Sequence, residues 1–162
     1  YDREDYVFGA CAGAGIYRRD FFEQVGIFDE DFFIFAEDVD INMRGQLQGF
    51  KCIYLPEAKV YHIGTATVGL YSDRYIYLCK RNDIFVLIRN YSLRMYFRYL
   101  WTILKHQFND IKYFTYRGQG IVLFKSKLDA FKMLLPMLFR RFRIQSSRTV
   151  PDSKIDPLIT KS

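Results

Sequence analysis

The chain changes character at Ser72, and no single uniform architecture suits both parts. Residues 1–72 carry 6 Lys/Arg against 12 Asp/Glu, a balance of −6. Residues 73–162 carry 18 against 6, a balance of +12. The first part is punctuated by glycines and short apolar runs, whereas the second reads in long helical periods. An acidic, site-building part joined to a basic part facing an anionic surface is one reading of the split; a solvated basic helical surface gives the same composition. At 162 residues the whole suits one domain, or one with an appendage. Half the residues are hydrophobic and 19% aromatic, enough for a real core and inconsistent with a disordered chain. Three stretches are expected: 1–72, a basic helical region 73–145, and a tail 146–162. The two prolines and small polar residues of the tail predict loose order.

Cys11, Cys52 and Cys79 form an odd, widely spaced set. It matches neither a disulfide framework nor a CxxC metal pattern, so a reducing compartment is expected. The chain opens on Tyr1 with no signal-peptide pattern, which reads as a fragment or a processed product.

Within the acidic part, Val7 to Ala12 reads as a strand, and Gly9, Gly13 and Gly15 allow close backbone approach around a bend. Their spacing is neither GxGxxG nor a P-loop, which excludes a dinucleotide or Walker site. Arg18 to Val25 predicts a short helix stopped by Gly26. A second helix starts at Glu37-Asp38-Val39-Asp40, with Val39, Met43 and Leu47 as the expected inward stripe and Gly49 as its stop. Asp40 and Arg44 form an i,i+4 pair. Lys51–Leu55 and Lys59–Ile63 read as two further strands. A helix dipole accounts for one or two of the acids at 37–40, and Asp29, Glu30 and Asp31 precede them closely. A carboxylate at a helix N-terminus suits a general base. Asp38 and Asp40 lie about 200° apart on the wheel, so one can act on a substrate while the other is structural. His62 alone carries no metal assignment.

Taken together, Gly9-Ala-Cys-Ala, Tyr17-Arg-Arg, Val25-Gly-Ile-Phe-Asp29-Glu-Asp-Phe-Phe, Glu37-Asp38-Val-Asp40-Ile and Ala58-Lys-Val-Tyr-His62 closely resemble one family. It is that of the family 2 inverting glycosyltransferases, especially the rhamnosyltransferase-like members that build bacterial surface polysaccharides. The likeness runs from Gly9 to Gly64, and the stretch Tyr77 to Asn82 resembles the start of the C-terminal helices in these enzymes. The resemblance implies an α/β chain forming the second half of a GT-A nucleotide-diphospho-sugar transferase fold, followed by long amphipathic α-helices. It implies Asp38 as catalytic base, with Glu37, Asp40, Arg18 and Asp29 supporting the helix and the acceptor pocket. His62 takes the place of a histidine that joins the metal in several members. The implied partners are a nucleotide-sugar donor and a saccharide or lipid-linked acceptor, and the implied cofactor is a divalent metal, Mg or Mn. The family's nucleotide-binding half, with its Asp-x-Asp motif, would precede Val7, where six residues stand. The metal would mostly sit on that half, and the chain alone is expected to bind donor poorly and to be inactive.

The basic part begins at Ser72-Asp73, an N-cap followed by an acid, and predicts a helix to about Asn109. Phe85 to Leu104 is apolar, but Arg89, Arg94 and Arg98 would each cost about 2.5–3.5 kcal/mol near a bilayer centre. An in-plane helix on a membrane surface is expected instead. Ile121 to Ile144 repeats the pattern, with Pro136 expected to kink it. This places the protein peripherally on the cytoplasmic face of the cell membrane. The alternative is a non-catalytic basic module docking a membrane surface or a partner subunit. Nucleic acid is not expected: no RNA or DNA motif is present and the apolar runs are too long for a solvated groove.

Overall fold

The computed structural model describes residues 3–62, 64 and 68–160. It divides into two compact units, Tyr1–Gly64 with Arg143–Ser162, and Thr65–Phe142. The described residues are mostly helical, with one small sheet.

In the first unit, β1 (Asp5–Val7) pairs antiparallel with β2 (Cys52–Tyr54) in the register Asp5↔Tyr54 and Val7↔Cys52. The expected strand Val7–Ala12 stops at Val7, because the following residues bond to helix side chains rather than to a neighbouring strand. Of Lys59–Ile63, residues 59–62 are irregular, and Ile63 lies outside the described residues. Helix α1 (Arg19–Val25) ends at Gly26, whose φ of 85° is the left-handed conformation glycine adopts readily. A 3₁₀ turn (Glu30–Phe32) then leads to α2 (Glu37–Leu47).

Helices α1 and α2 meet through Phe21, Val25 and Ile41, with Tyr17, Phe22, Phe28 and Phe50 packed around them. The Phe21 ring lies 5.1 Å from that of Phe50 and over Gly45, where any Cβ would sit 2.6 Å from the ring. A mid-helix glycine weakens α2 by about 1 kcal/mol, and the close crossing it permits is what the aromatic core requires. Met43 and Leu47 are buried as expected, but Val39 is 42% exposed. Its place in the core is taken by Asp40 and Arg44, which α2 turns inward instead.

Arg44 Nε donates to Asp40 Oδ2 at 2.8 Å, while Nη1 and Nη2 donate to the carbonyls of Val25 (2.7 Å) and Ile27 (2.9 Å). One guanidinium thus fastens the end of α1 and the turn after it onto α2.

The expectation of a loose tail from Ser146 is corrected by α7 (Asp152–Thr160). Ile155 is buried, and the amides of Thr149 and Val150 donate to the Leu47 carbonyl at the end of α2 (2.9 and 3.2 Å). Tertiary burial overrides the weak local propensity of this segment.

The second unit holds α3 (Asp73–Asn90), α4 (Leu93–Tyr116), α5 (Gly120–Lys132) and the first part of α6 (Leu134–Ser146). The single helix expected from Ser72 to Asn109 is two helices, each capped by a serine: Ser72 Oγ accepts from the Tyr75 amide and Ser92 Oγ from the Met95 amide, both at 3.1 Å. The second break falls at Met133, so Pro136 occupies the first turn of α6. Its missing N–H has no intrahelical acceptor there, and no kink is needed. Ile76, Phe114 and Leu123 join α3, α4 and α5 in a core. Lys80 pairs with Asp110 at 3.0 Å between α3 and α4. Arg141 closes α3 by donating to the carbonyls of Ile88 (2.9 Å) and Tyr91.

Candidate active site

The approach to α2 is strained. Phe33, Phe35 and Ala36 have φ of 61°, 72° and 62°, a region that disfavours side-chain-bearing residues by on the order of 1 kcal/mol each. Ala36 in this conformation turns the chain directly into Glu37-Asp38 and offers no side-chain cap.

A polar row on α2 then binds the glycine-bordered segment 8–12. The Ala12 amide donates to Asp38 Oδ2 (3.2 Å), Asn42 Nδ2 to the Ala10 carbonyl (2.7 Å), and Gln46 Nε2 to the Phe8 carbonyl (2.7 Å). Four helical residues rise about 6 Å and two extended residues about 6.6 Å, so the side chains of 38, 42 and 46 meet every second backbone residue in turn. Asp38 Oδ1 also accepts from the Val39 amide (2.8 Å). The carboxylate is thereby fixed at the head of α2 and half-buried against the segment.

Gly9 is required for this approach, since a Cβ there would lie 2.2 Å from Asn42 Cγ. With Asn42 held at both ends, Gly9→Ala is expected to shift the segment, costing about 1–3 kcal/mol of stability. Urea unfolding of the variant checks this; an unchanged midpoint would mean that the segment yields freely.

Tyr17 completes the group. Its hydroxyl donates to Asn42 Oδ1 at 3.4 Å. Burial, and after it the charge of Asp38, pushes its pKa up to about 12, so it stays a neutral donor across the physiological range. Burial also raises the pKa of Glu37, with backbone amides opposing, and its buried Oε2 has no hydrogen-bond partner among the described residues. A carboxyl raised on folding contributes stability below its unfolded pKa and loses it as pH rises. Glu37→Gln is therefore expected to raise the urea midpoint at pH 7, and the gain should shrink as pH falls through the ordinary glutamate range.

The other residues singled out from sequence are distributed differently. Asp40 faces the core, away from Asp38, as helical spacing dictates. Asp29 caps the 3₁₀ turn, accepting from the Asp31 amide at 3.0 Å. Arg18 is exposed and pairs with Asp20 at 2.9 Å on an open, shallow surface shared with Arg19 and Glu23. His62 lies against Gly13, on the segment whose Ala12 amide holds Asp38.

His62 Nδ1 accepts from the Gly64 amide at 2.8 Å. That ring nitrogen is thereby engaged by the backbone. Among the described residues no group of three His, Cys, Asp or Glu side chains is suited to an ion. The described residues do not by themselves supply a set that fits the implied metal.

Sequence reading missed Tyr17, Asn42 and Gln46. The i,i+4,i+8 spacing of Asp38, Asn42 and Gln46 was the available signal, since a polar stripe on a helix that is otherwise buried needs partners.

The Asp38 carboxylate is thus held by two backbone amides at the head of α2, beside a glycine-bordered loop and a neutral tyrosine. The chain matches the model of Glycosyl transferase family group 2 over residues 4–142 and belongs to that family. It is 33% identical over 87 residues to the N-acetylglucosaminyl-diphospho-decaprenol L-rhamnosyltransferase of Mycobacterium tuberculosis (strain CDC 1551 / Oshkosh), and equally so to that of strain ATCC 25618 / H37Rv. The matched stretch is 48% of this chain and 27% of each relative, so the chain spans about a quarter of the length of the curated relatives it matches. No solved structure matches it significantly. The chain is thus a rhamnosyltransferase-like family 2 domain, as the residues from Gly9 to Gly64 suggested.

Proposed function

We propose that the protein transfers a sugar, rhamnose being the candidate its relatives suggest, from a nucleotide-sugar to a saccharide or lipid-linked acceptor with inversion, in surface polysaccharide synthesis. The first unit is then the acceptor-side half of a GT-A fold, working at the cytoplasmic face of the cell membrane. The observation that carries this reading is the fixation of Asp38 at the head of α2 by the Ala12 and Val39 amides.

In the proposed reaction Asp38 removes the proton of an acceptor hydroxyl as its oxygen bonds to the anomeric carbon. The bond to the nucleoside diphosphate breaks on the opposite face, and the leaving group departs with its electron pair. Holding the two reactants in line supplies much of the acceleration. Tyr17, kept neutral, orders the polar row behind the base. Glu37 and Asp40 support the helix, Asp29 sets the preceding turn, and Arg18 and His62 border the acceptor side. A divalent metal, Mg or Mn, is proposed to accompany the donor diphosphate on ligands outside the described residues, where it would neutralise the leaving group.

The test is transfer by the full-length enzyme carrying Asp38→Asn, with donor binding measured in parallel. Loss of transfer with donor binding retained supports the assignment, and normal turnover removes it.

A further inference from the structure

Helix α4 has two unlike sides. Met95, Asp110 and Phe114 are buried and form its packed side. At about 100° per residue, Leu93, Phe97, Trp101, Leu104, Phe108 and Ile111 share an arc of about 80° on the roughly opposite side. All six are exposed, Phe97 at 78%, Trp101 at 79% and Phe108 at 67%. Apolar surface on this scale is not what an unpartnered helix presents to water.

The charges around the arc indicate what covers it. Arg94, Arg98, Lys105 and Lys112 follow one another along a single border of the arc, at the level of a headgroup layer if the apolar side points down. Asp110 is the only acid of α4, and it is buried and paired with Lys80. The exposed surface of the helix therefore carries cations and aromatics but no anion. Among the described residues no helix is long and apolar enough to cross a membrane. Helices α5 and α6 carry similar exposed stripes through Phe124 and Phe131 and through Phe139 and Phe142.

We infer that α4 docks in the plane of an anionic lipid bilayer, with Phe97, Trp101 and Phe108 below the headgroups and the four cations on the lipid phosphates. The assignment deepens the proposed membrane-facing role by naming the surface. It rests on that reading only for its biological purpose.

Trp101 is the single tryptophan of the chain and reports on this face directly. With the full chain and phosphatidylcholine vesicles containing about a third phosphatidylglycerol, Trp101 emission should move to shorter wavelength. Lipids brominated on their acyl chains should quench it, and high salt or vesicles without phosphatidylglycerol should weaken both effects. The double variant Phe97→Ser/Phe108→Ser, with helical circular dichroism intact, should partition at least about tenfold more weakly. Emission unmoved by anionic vesicles would overturn the assignment. So would emission already shifted without lipid and reversed by dilution, which would mean that a second copy covers the face. In the full-length enzyme, Asp38→Asn should bind vesicles normally, and the α4 variant should keep transfer to a water-soluble acceptor. Failure of the docking surface and failure of the base assignment are thereby separable.

Discussion

In the full-length enzyme, Asp38→Asn is expected to lower sugar transfer by about 10²–10⁴-fold, the usual worth of a positioned general base. The asparagine has the same shape, and its one oxygen can keep either the Ala12 or the Val39 amide, but its NH₂ cannot accept the other. Stability should fall by about 1 kcal/mol for the bond lost, so the fold survives. The amide cannot take a proton from a hydroxyl, and the loss should fall on kcat with donor affinity unchanged. Single-turnover kinetics and donor binding by calorimetry separate these effects. Donor binding lost together with transfer would instead make Asp38 a residue that holds the first unit in shape.

The largest stability effect belongs to the second acid of the same helix. Asp40→Ala is expected to cost about 3–5 kcal/mol, because it leaves a buried guanidinium without its counter-charge. The Asp40 side chain is 0% exposed and that of Arg44 is 9%. Arg44 would still reach the carbonyls of Val25 and Ile27, so its charge would stay in the core. The exposed pair Arg19–Glu23 provides the contrast: Glu23→Ala should cost at most about 0.5 kcal/mol. Replacing both partners, as Asp40→Leu with Arg44→Met, should recover much of what the single change loses. Urea unfolding of the three variants decides the matter, and a loss under about 1 kcal/mol for Asp40→Ala would show that the clamp is not structural.

These two acids show which features local rules made legible. The start of α2, its stop at Gly49 and the divergence of Asp38 from Asp40 follow from spacing alone, as does the Ser72 cap. What depended on distant partners was not legible. Residues 8–12 have the composition of a strand, but three of their backbone groups bond to α2 side chains. Lys59–Tyr61 are exposed and pair with no strand among the described residues. The burial of Ile155 needs the end of α2, a hundred residues away in sequence. Nothing in a run of aromatics announces left-handed backbone at Phe33 and Phe35. Its position directly before Glu37-Asp38 fits the tendency of strained backbone to gather where function is.

The first unit is assembled from two stretches far apart in sequence, and this sets the order in which its parts can meet. During synthesis residues 1–64 emerge first, yet Thr149, Val150 and Ile155 must follow before the end of α2 is covered. The helical unit between them has all of its partners sooner, and its contacts are local enough to settle quickly. The unit that carries Asp38 is thus completed last. Until then the Leu47 carbonyl and its apolar surroundings are open to chaperones or to aggregation. A chain stopped before residues 149–155 would leave the end of α2 uncovered and the first unit unfinished, however well the helical unit had folded.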